Sequence, residues 1–420
     1  MTTSDIYRAP IGTKDVIGIE ARRWQSVISQ FAKQANLYNY DLAITPVFEH
    51  IEVFNRVGED SDIVSKEMYD FFDKGNRHIA LRPEGTAGIV RAVAQHRPVM
   101  PFKAWYLVQN FRYERPQKGR LRQHFQFGIE AFGIDDPLID VEIISFANDF
   151  FKTLGLSDYS LSINSLGDSN AREKHMSELQ EYFSKYSSDF DDEFKARLEK
   201  NPLRILDTKD QKWMDMVNGA PQILDFLSNE SIADFEIVKN SLTDLGIKYN
   251  VVPTLVRGLD YYTNTTFEFI SNALDAAQST FCGGGRYNKL VKEMGGEETP
   301  GIGFGLGIER LLMVMDAENV NIATRSLDFF IVDLLKSEKS LQLFQNITSS
   351  LRENNYSVDN CFGSKSMKSS MKQADRSGAS YVLLCGENEL EKNVVTLRNM
   401  SSGEQRELNT DSIIESLLKL

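Results

Sequence analysis

The sequence predicts an α+β protein with an antiparallel sheet flanked by helices, a helical insertion, and a smaller α/β domain at the carboxyl end. Three observations lead to this prediction. A chain of 420 residues is too long for one ordinary hydrophobic core. Strand-like alternation of apolar and polar residues recurs through residues 1–325 and is interrupted by one helical stretch. From residue 326 to 420 strands and helices alternate, which favours a separate α/β domain.

Composition excludes several classes of protein. Hydrophobic residues make up 41% of the chain and charged residues 25%, as in globular proteins. No apolar run approaches the ~20 residues that cross a bilayer, and residues 1–10 lack a signal-peptide core, so we expect a cytoplasmic protein without a membrane partner. The three cysteines and five histidines are scattered, which argues against a disulfide framework and a protein-built metal site. With a net charge of −13, any nucleic-acid partner has to be bound locally.

The first part of the chain shows clear periodicity. Helical spacing of apolar residues predicts helices at residues 22–38, 87–94 and 137–154. Alternating patterns predict strands at residues 42–48, 66–72 and 78–81. Pro46 interrupts the first of these strands. Because proline is confined to edges and bulges of sheets, we expect this strand at a sheet margin or a subunit boundary.

Residues 111–130, FRYERPQKGRLRQHFQFGIE, are predicted to form a long β-hairpin with a basic loop. Alternation places Arg112 and Glu114 on one face of the first strand. The second strand has a packing face of Phe125, Phe127 and Ile129 and an opposite polar face. The polar face consists of His124, Gln126, Gly128 and Glu130. Charged groups on a buried face need partners, which indicates a ligand, whereas a solvated hairpin is the alternative for this stretch alone.

The segment LRPEGT, residues 81–86, is a second candidate for ligand contact. Pro83 and Gly85 fix a strand-to-helix corner from which Glu84 and Thr86 project. An ordinary helix-capping turn would use the same residues, and for this segment alone that is the simpler explanation.

Residues from about 167 to 245 are rich in charge, helical in period and poor in strands, so we interpret them as a helical insertion. After it, GIGFGLGIERLL at residues 301–312 has a glycine at every second position, unlike the GxGxxG pattern of dinucleotide-binding folds. We expect these glycines to leave a flat floor for a planar ring. Arg310 lies near the start of the next helix, where a polyanion would also meet helix amides.

Three arginines, Arg112, Arg257 and Arg310, lie where a strand face or a strand-to-helix corner would aim them inward. Inward arginines without a matching acidic core indicate a polyanionic ligand, and the guanidinium fork suits phosphate oxygens. The remaining polar candidates would form a neutral-to-acidic pocket for a substrate that carries an amine or another cation. They are Glu84, Thr86, Gln126, Glu130, Tyr261 and Tyr262.

Taken together, these motifs resemble those of class II aminoacyl-tRNA synthetases and, more narrowly, of the histidyl-tRNA synthetase family. The strand around Pro46, the 111–130 stretch and GIGFGLGIERLL resemble the three motifs of the class. The segments that resemble the histidine family in particular are LRPEGT, RGLDYYTNTTFEF and CGGGRYNKLV. The resemblance covers nearly the whole chain and is weakest between residues 170 and 247. Residues 326–420 resemble the family's anticodon-binding domain.

The resemblance implies that residues 1–325 form a catalytic domain that makes histidyl-adenylate from L-histidine and ATP, with Mg²⁺ bridging the phosphates. The histidyl group would then pass to tRNA(His), and the enzyme would be a homodimer. Arg112 and Arg257 would be catalytic, holding the α-phosphate and the carboxylate. Implied ATP contacts are Arg112, Glu114, Arg120, His124 and Arg310. Implied histidine contacts are Glu84, Thr86, Gln126, Glu130, Tyr261, Tyr262 and Tyr287, with Glu130 and Tyr262 reading the two imidazole nitrogens.

Two points stay open in the sequence. Family members usually have an aromatic residue followed by histidine where this chain has His124-Phe125, so either side chain could contact adenine. In the C-terminal domain a helical face carries four cations that would contact tRNA, although a solvated face is the alternative. These cations are Lys365, Lys368, Lys372 and Arg376.

Two other functions are compatible with parts of this pattern. One is a non-catalytic, histidine-sensing regulatory paralogue, such as the regulatory subunit of ATP phosphoribosyltransferase. Such proteins resemble the synthetase core but lack the anticodon-binding domain and typically lose catalytic arginines, whereas Arg257 and residues 326–420 are present here. The other is a class II synthetase for a different amino acid, which RGLDYY disfavours.

Overall fold

The computed structural model describes residues 7–56, 64, 66–186, 190, 195, 198, 202–206, 211–256, 258–259, 261–275, 278–322, 326–363 and 366–419. The chain separates into two compact units, Met1–Ile322 and Ala323–Leu420. The first unit combines helices with a large, mostly antiparallel sheet, and the second is an α/β unit. The predicted fold class is therefore confirmed. Within the described residues, no helix has the length and apolar character needed to cross a bilayer.

Strands dominate the centre of the first unit. They are β1 Asp41–Leu42, β2 Phe48–His50, β3 Tyr69–Phe72, β4 His78–Leu81, β5 Phe102–Phe111, β6 Gln123–Phe132, β7 Tyr159–Ser165, β8 Asn250–Val251, β9 Thr263–Ser271, β10 Thr280–Arg286 and β11 Gly301–Gly307. The helices are α1 Gly18–Leu37, α2 Ile51–Asn55, α3 Thr86–His96, α4 Leu138–Leu154, α5 Ser169–Ser184, α6 Gln211–Asn218, α7 Asn229–Asp244, α8 Leu290–Glu293 and α9 Ile308–Ala317.

Among the described strands, eight form one sheet in the order β1-β5-β6-β11-β10-β9-β7-β8, and β2-β4-β3 form a separate small sheet. Neighbours in the large sheet are antiparallel except at its two ends, where β1 is parallel to β5 and β8 is parallel to β7. The long strands β5 and β6 pair over their full length, and β11 lies on the other side of β6. β6 is therefore an interior strand, and its side chains face either the helices or the opposite side of the sheet.

Aromatic packing covers one face of β6. Phe31 of α1 stacks on Phe127 with ring centroids 4.2 Å apart, and Phe150 of α4 meets Phe31 edge-on at 5.0 Å. Phe127 and Ile129 are wholly buried in this core. The predicted packing face is confirmed, and the polar side chains of β6 point to the opposite side of the sheet.

Two predicted strand assignments are wrong. β5 ends at Phe111 and β6 begins at Gln123, so Arg112 and Glu114 lie in the connecting loop rather than on a strand face. Within this loop the chain folds on itself, because Gln117 and Arg120 form a tight bridge around Gly119, which has a φ of +74°. Pro46 likewise lies between two strands, β1 and β2. β1 belongs to the large sheet and β2 to the small one, so the chain passes from one sheet to the other at Pro46. Proline suits this position because it has no backbone N–H to donate to a strand ladder.

A buried ion pair joins β10 to α4. Arg286 Nε lies 2.7 Å from Asp140 Oδ1, and both side chains are almost wholly buried. Burial raises the pKa of Asp140 to about 6 although Arg286 opposes the shift. A charge pair this deeply buried serves to fix geometry, because removing one partner strands the other in a low-dielectric site. It fixes the strand that leads directly into Tyr287.

In the second unit, parallel and antiparallel strands form one sheet in the order β13-β12-β14-β15-β16 among the described residues. The strands are β12 Leu327–Asp333, β13 Val358–Asn360, β14 Ala379–Cys385, β15 Val394–Asn399 and β16 Gln405–Asn409. The helices are α10 Glu338–Glu353, α11 Met367–Ser377, α12 Glu387–Glu391 and α13 Ile413–Leu417. Strands β13, β12 and β14 are parallel, and the last two pairings are antiparallel.

The predicted basic stripe lies mainly on α11. Lys368, Lys372 and Arg376 are exposed on this helix, while Ser370 and Ala374 on its other side are buried. Lys365 lies outside the described residues. The stripe is thus a solvent-facing row of cations, and its role in tRNA binding stays a prediction.

Candidate active site

Glu130 is at the centre of a pocket of hydroxyl groups. Its side chain is fully buried on the polar face of β6. Thr86 Oγ1 donates to Glu130 Oε1 at 2.7 Å, Tyr106 OH donates to the same oxygen at 3.0 Å, and the Tyr287 hydroxyl donates to Oε2. Burial raises the pKa of Glu130 to about 8, although these three donors act in the opposite direction.

The alternating glycines of β11 make room for this pocket. Gly303 pairs with Glu130, and a Cβ at Gly303 would lie 1.8 Å from Glu130 Oε2. A Cβ at Gly305 would lie 2.0 Å from the Gln126 amide nitrogen. The predicted flat floor for a planar ring is therefore wrong for this part of β11, because protein side chains occupy it. Gly305 and Gly307 still line an adjoining cavity.

Three tyrosines form a wall next to Glu130. The rings of Tyr261 and Tyr262 have centroids 4.5 Å apart, and Tyr261 meets Tyr287 edge-on at 5.7 Å. The Tyr261 hydroxyl donates to the Tyr262 hydroxyl at 3.4 Å. All three side chains are buried, so the structure brings these predicted residues together around one carboxyl group.

The Glu84 carboxylate caps the amino-terminal end of α3. The carboxylate accepts from the backbone N–H groups of Thr86 at 2.8 Å and Ala87 at 2.6 Å, at the start of α3. This is the helix-capping arrangement that the sequence offered as the alternative. Burial raises the pKa of Glu84, which these backbone donors oppose. A contact between Glu84 and a substrate amino group stays a prediction. The Thr86 hydroxyl already donates to Glu130 Oε1.

Asn110 positions Gln126 and was not predicted. Asn110 is wholly buried at the end of β5, and its Nδ2 donates to Gln126 Oε1 at 2.8 Å. The side-chain oxygen of Gln126 thereby has a partner within the protein, and Gln126 also lines the adjoining cavity. Strand alternation could have found Asn110, because it lies on the same face of β5 as Tyr106, four residues earlier.

The adjoining cavity has a volume of about 200 Å³ and contains all the predicted ATP contacts. Its lining includes Arg112, Glu114, Arg120, His124 and Arg310, together with Gln126. It lies between the 112–122 loop, β6, β10 and the start of α9. Arg257 lies outside the described residues, so its predicted place beside this cavity is untested.

Backbone carbonyls anchor two half-buried arginines of the cavity. Arg112 Nε donates to Pro83 O at 2.8 Å, which ties the loop after β5 to the LRPEGT corner. Arg310 Nη1 donates to Thr280 O at 2.7 Å and its Nε to Gly119 O at 3.2 Å. Burial lowers the pKa of both guanidinium groups without discharging them. Each has N–H groups beyond those anchors for an anionic ligand.

Glu114 and Arg120 pair with each other across the cavity, with Arg120 Nε 2.6 Å from Glu114 Oε2. Glu67 also lies close by, and burial followed by the charge of Glu114 raises its pKa. Sequence reasoning missed Glu67, because it belongs to a segment that is distant along the chain and carries no motif of its own.

His124 faces the cavity and Phe125 faces the core. The Phe125 ring meets Trp24 edge-on at 5.0 Å, on the helix side of β6. Burial, followed by the charges of Arg112 and Arg310, lowers the pKa of His124 to about 3, so its imidazole is neutral at physiological pH. A neutral flat ring can lie against a nucleobase, and His124 is thus the side chain of this pair that could do so.

Comparisons with known proteins agree with this arrangement. Residues 12–311 match the family model for histidyl-tRNA synthetase, and residues 328–420 match the model for an anticodon binding domain. The histidine-tRNA ligase of Listeria innocua serovar 6a is 46% identical over 415 residues, which cover 97% of each chain. The histidine-tRNA ligase of Halothermothrix orenii is 44% identical over 418 residues, covering 98% of this chain and 99% of the relative.

Among solved structures, the crystal structure of apo S. aureus histidyl-tRNA synthetase matches with a TM-score of 0.81 at 36% identity. The match covers 98% of this chain and 99% of that one. The large sheet, its arginine-lined cavity and the C-terminal α/β unit define a class II aminoacyl-tRNA synthetase. Within that class, the chain belongs to the histidyl-tRNA synthetase family.

Proposed function

We propose that this protein ligates L-histidine to tRNA(His) at the expense of ATP, through histidyl-adenylate, and releases AMP and pyrophosphate. One observation carries the proposal: a single strand, β6, presents Glu130 to a hydroxyl-lined pocket and His124 to an arginine-lined cavity. Gln126 lies between them and lines the cavity. Gln126 and Glu130 are four residues apart, roughly 13 Å along the strand at about 3.3 Å per residue, so one ligand that joins a histidyl group to a nucleotide could reach both sites.

In the proposed reaction, Glu130 accepts a hydrogen bond from one imidazole nitrogen of the substrate. The Tyr262 hydroxyl, which accepts from Tyr261 at 3.4 Å, would donate to the other imidazole nitrogen of the substrate. A site that supplies one acceptor and one donor matches a neutral imidazole. It rejects side chains that lack these groups, because the buried polar atoms would then have no partner.

The adenylation step needs charge neutralisation more than acid-base chemistry. The histidine carboxylate attacks the α-phosphorus of ATP, and the bond to the β,γ-pyrophosphate breaks. Arg112 and Arg257 would stabilise the charge on the α-phosphate and the attacking carboxylate, and Arg310 would hold the γ-phosphate. Glu114 would meet the adenine edge and His124 would stack on the ring. Arg112 and Arg310 are suitably anchored for these roles.

We propose that Mg²⁺ accompanies ATP and is held largely by phosphate oxygens. Among the described residues, the carboxylates lining the cavity are Glu114 and Glu309, and both are engaged. Glu114 pairs with Arg120, while Glu309 accepts from the Phe125 N–H. A cation that keeps few protein ligands and binds through phosphates suits such a site. The ion would neutralise phosphate charge during the reaction.

The second unit would bind tRNA(His). The match of residues 328–420 to an anticodon binding domain supports this proposal, and the exposed cations of α11 would add phosphate contacts. With the domain limits predicted from the sequence, 1–325 and 326–420, all proposed adenylation chemistry would belong to residues 1–325.

We also propose that the protein acts as a homodimer in the cytoplasm. β1 is an edge strand of the large sheet, and the chain beside it exposes Leu42, Ile44 and Phe48. Ile44 is 86% exposed. An apolar edge of this kind needs a cover, and a second copy of the chain is the partner we propose. Sedimentation velocity at micromolar concentration tests this; a monomer would overturn it.

The decisive experiment for the function is ATP-pyrophosphate exchange with each proteinogenic amino acid in turn, followed by charging of tRNA(His). Histidine alone should support exchange, and the same enzyme should charge tRNA(His). A regulatory paralogue would bind histidine without supporting exchange. A synthetase for another amino acid would exchange with that amino acid instead.

A further inference from the structure

Tyr106 lies in the middle of β5, and its hydroxyl group reaches the carboxyl group of Glu130. The Tyr106 OH donates to Glu130 Oε1 at 3.0 Å and lies 3.5 Å from Thr86 Oγ1. Tyr106 has no exposed surface. Burial, followed by the charge of Glu130, raises its pKa well above the ordinary value, so it remains a hydrogen-bond donor at every physiological pH.

Two glycines make space for the Tyr106 ring. A Cβ at Gly128, the partner of Tyr106 in the β5–β6 ladder, would lie 2.2 Å from a ring carbon of Tyr106. A Cβ at Gly85 in the LRPEGT corner would lie 2.4 Å from the same ring. The Tyr106 ring therefore passes two backbone positions, one on β6 and one in the LRPEGT corner, at which any side chain would clash with it. The ring is held in one place, with its hydroxyl directed at Glu130.

The hydrogen bonds to Glu130 are distributed unequally between its two oxygens. Oε1 accepts from both Thr86 and Tyr106, whereas Oε2 accepts from Tyr287. A carboxylate oxygen has about two acceptor positions, so Oε1 is filled by the protein and Oε2 retains one position. Oε2 is therefore the oxygen of this buried carboxyl group with an acceptor position left for a ligand.

We infer that Tyr106 is a positioning residue of the histidine site, which fills Oε1 of Glu130 together with Thr86 and leaves Oε2 to accept the imidazole N–H. This inference rests on the proposed function. A purely structural tyrosine, which places its hydroxyl on the nearest acceptor, would contribute to stability without affecting how histidine is bound.

The test is the Tyr106→Phe variant, which keeps the ring between the two glycines and removes the hydroxyl. We expect the KM for histidine to rise by about tenfold or more, as for a lost hydrogen bond to a charged group, and the KM for ATP to stay within about twofold. The acid limb of the pH profile for histidine KM should also move to higher pH. The reason is that the Tyr106 hydroxyl lowers the pKa of Glu130, and its removal makes the carboxylate harder to form.

The matched control is Tyr40→Phe. Tyr40 is equally buried and donates to Glu142 Oε1 at 2.9 Å, outside the site. Its loss should change the melting temperature without moving the histidine KM or the pH profile. A double-mutant cycle with Glu130→Gln completes the test: if Tyr106 acts through Glu130, Tyr106→Phe should add less than about twofold in that background.

The outcomes separate the two claims. If the wild-type protein exchanges pyrophosphate with histidine but Tyr106→Phe behaves like Tyr40→Phe, the positioning role is overturned and the proposed function stands. Equal increases in KM for histidine and ATP, or the same loss in both backgrounds of the cycle, also overturn it. If histidine supports no exchange in the wild-type protein, the proposed function fails and the inference fails with it.

Discussion

Gly303 lies across the β6–β11 ladder from Glu130, at a position where a Cβ atom would come within 1.8 Å of Glu130 Oε2. The same Cβ would lie 2.3 Å from the backbone oxygen of Ile129, so the clash involves the sheet itself and cannot be relieved by a rotamer change. The observed position of the Glu130 carboxyl group, which we propose binds histidine, therefore requires that residue 303 has no side chain.

We predict that Gly303→Ala reduces histidine-dependent pyrophosphate exchange at least a hundredfold, because the Glu130 carboxyl group has to move. The overpacked sheet should also lose about 1–3 kcal/mol of unfolding free energy. Gly307→Ala on the same strand is the control for stability, since its Cβ would meet nothing within 4 Å. A Gly303→Ala enzyme with a normal histidine KM would show that Glu130 is not held as described.

Glu130→Gln should weaken histidine far more than ATP. The amide keeps the shape of the carboxylate but lacks its charge, and its nitrogen cannot accept from the imidazole. A lost charge-assisted hydrogen bond of about 1.5–3 kcal/mol corresponds to a rise in histidine KM of roughly 10- to 150-fold. Steady-state KM values for both substrates measure this. Equal losses for histidine and ATP would remove Glu130 from the histidine pocket.

The raised pKa of Glu130 also predicts how stability depends on pH. Its value of about 8 lies above the ordinary 4.5, so the folded protein holds this proton more tightly than the unfolded chain. Unfolding free energy should therefore fall as pH rises from about 4.5 to 8, by up to about 1.4 kcal/mol per pH unit for one proton.

Urea unfolding of the wild type and of Glu130→Gln at several pH values between 5 and 8.5 tests this. Glu309 and Asp140 also have raised pKa values, so the difference between the two proteins isolates the contribution of Glu130. Glu130→Gln should be the less pH-dependent protein and should gain relative stability as pH rises. Parallel curves for the two proteins would mean that Glu130 is already ionised when buried.

Arg257 lies outside the described residues, and its catalytic role rests on the RGLDYY motif. We predict that Arg257→Ala slows adenylate formation by several orders of magnitude, because its charge would act mainly in the transition state. The fold should be unaffected, which circular dichroism and thermal melting would show. Pyrophosphate exchange close to the wild-type rate would exclude the role.

The sequence predicted the faces of β6 correctly because alternation has a strict period of two. Once Phe127 and Ile129 belong to the core, Gln126 and Glu130 must point to the other side. The fold class could likewise be predicted, and the residues that line the arginine-lined cavity could be predicted through the resemblance of their motifs to the synthetase family.

The sequence did not predict contacts that depend on register and on loop conformation. Tyr106 and Asn110 reach Glu130 and Gln126 only because β5 pairs with β6 in one particular register. Alternation predicts strand on both sides of a loop at residues 116–119, through FRYER before it and from Arg120 after it, although the ladder ends at Phe111 and resumes at Gln123. The spacing of the β11 glycines does not reveal that the side chains of Glu130 and Gln126 lie against them, because this contact is a tertiary property.

The exposed cations of α11 allow a test of how tRNA is held. Lys368, Lys372 and Arg376 recur every four residues and face solvent, so they form one row along the helix. If this row contacts phosphates, the double reversal Lys368→Glu, Lys372→Glu should raise the KM for tRNA(His) and leave the KM values for histidine and ATP unchanged. Each lost phosphate contact should also flatten the slope of log affinity against log salt by about 0.7–0.9.

The control is a double reversal at Lys339 and Lys392, which are exposed elsewhere in the same unit and change the net charge by the same amount. Long-range repulsion of tRNA would affect both double variants alike, whereas a contact made by α11 affects only the first. Charging assays from 50 to 200 mM salt distinguish the two. If the α11 variant keeps the wild-type KM and salt slope, the row is a solvated helix face. The tRNA would then have to be held by other surfaces of this unit.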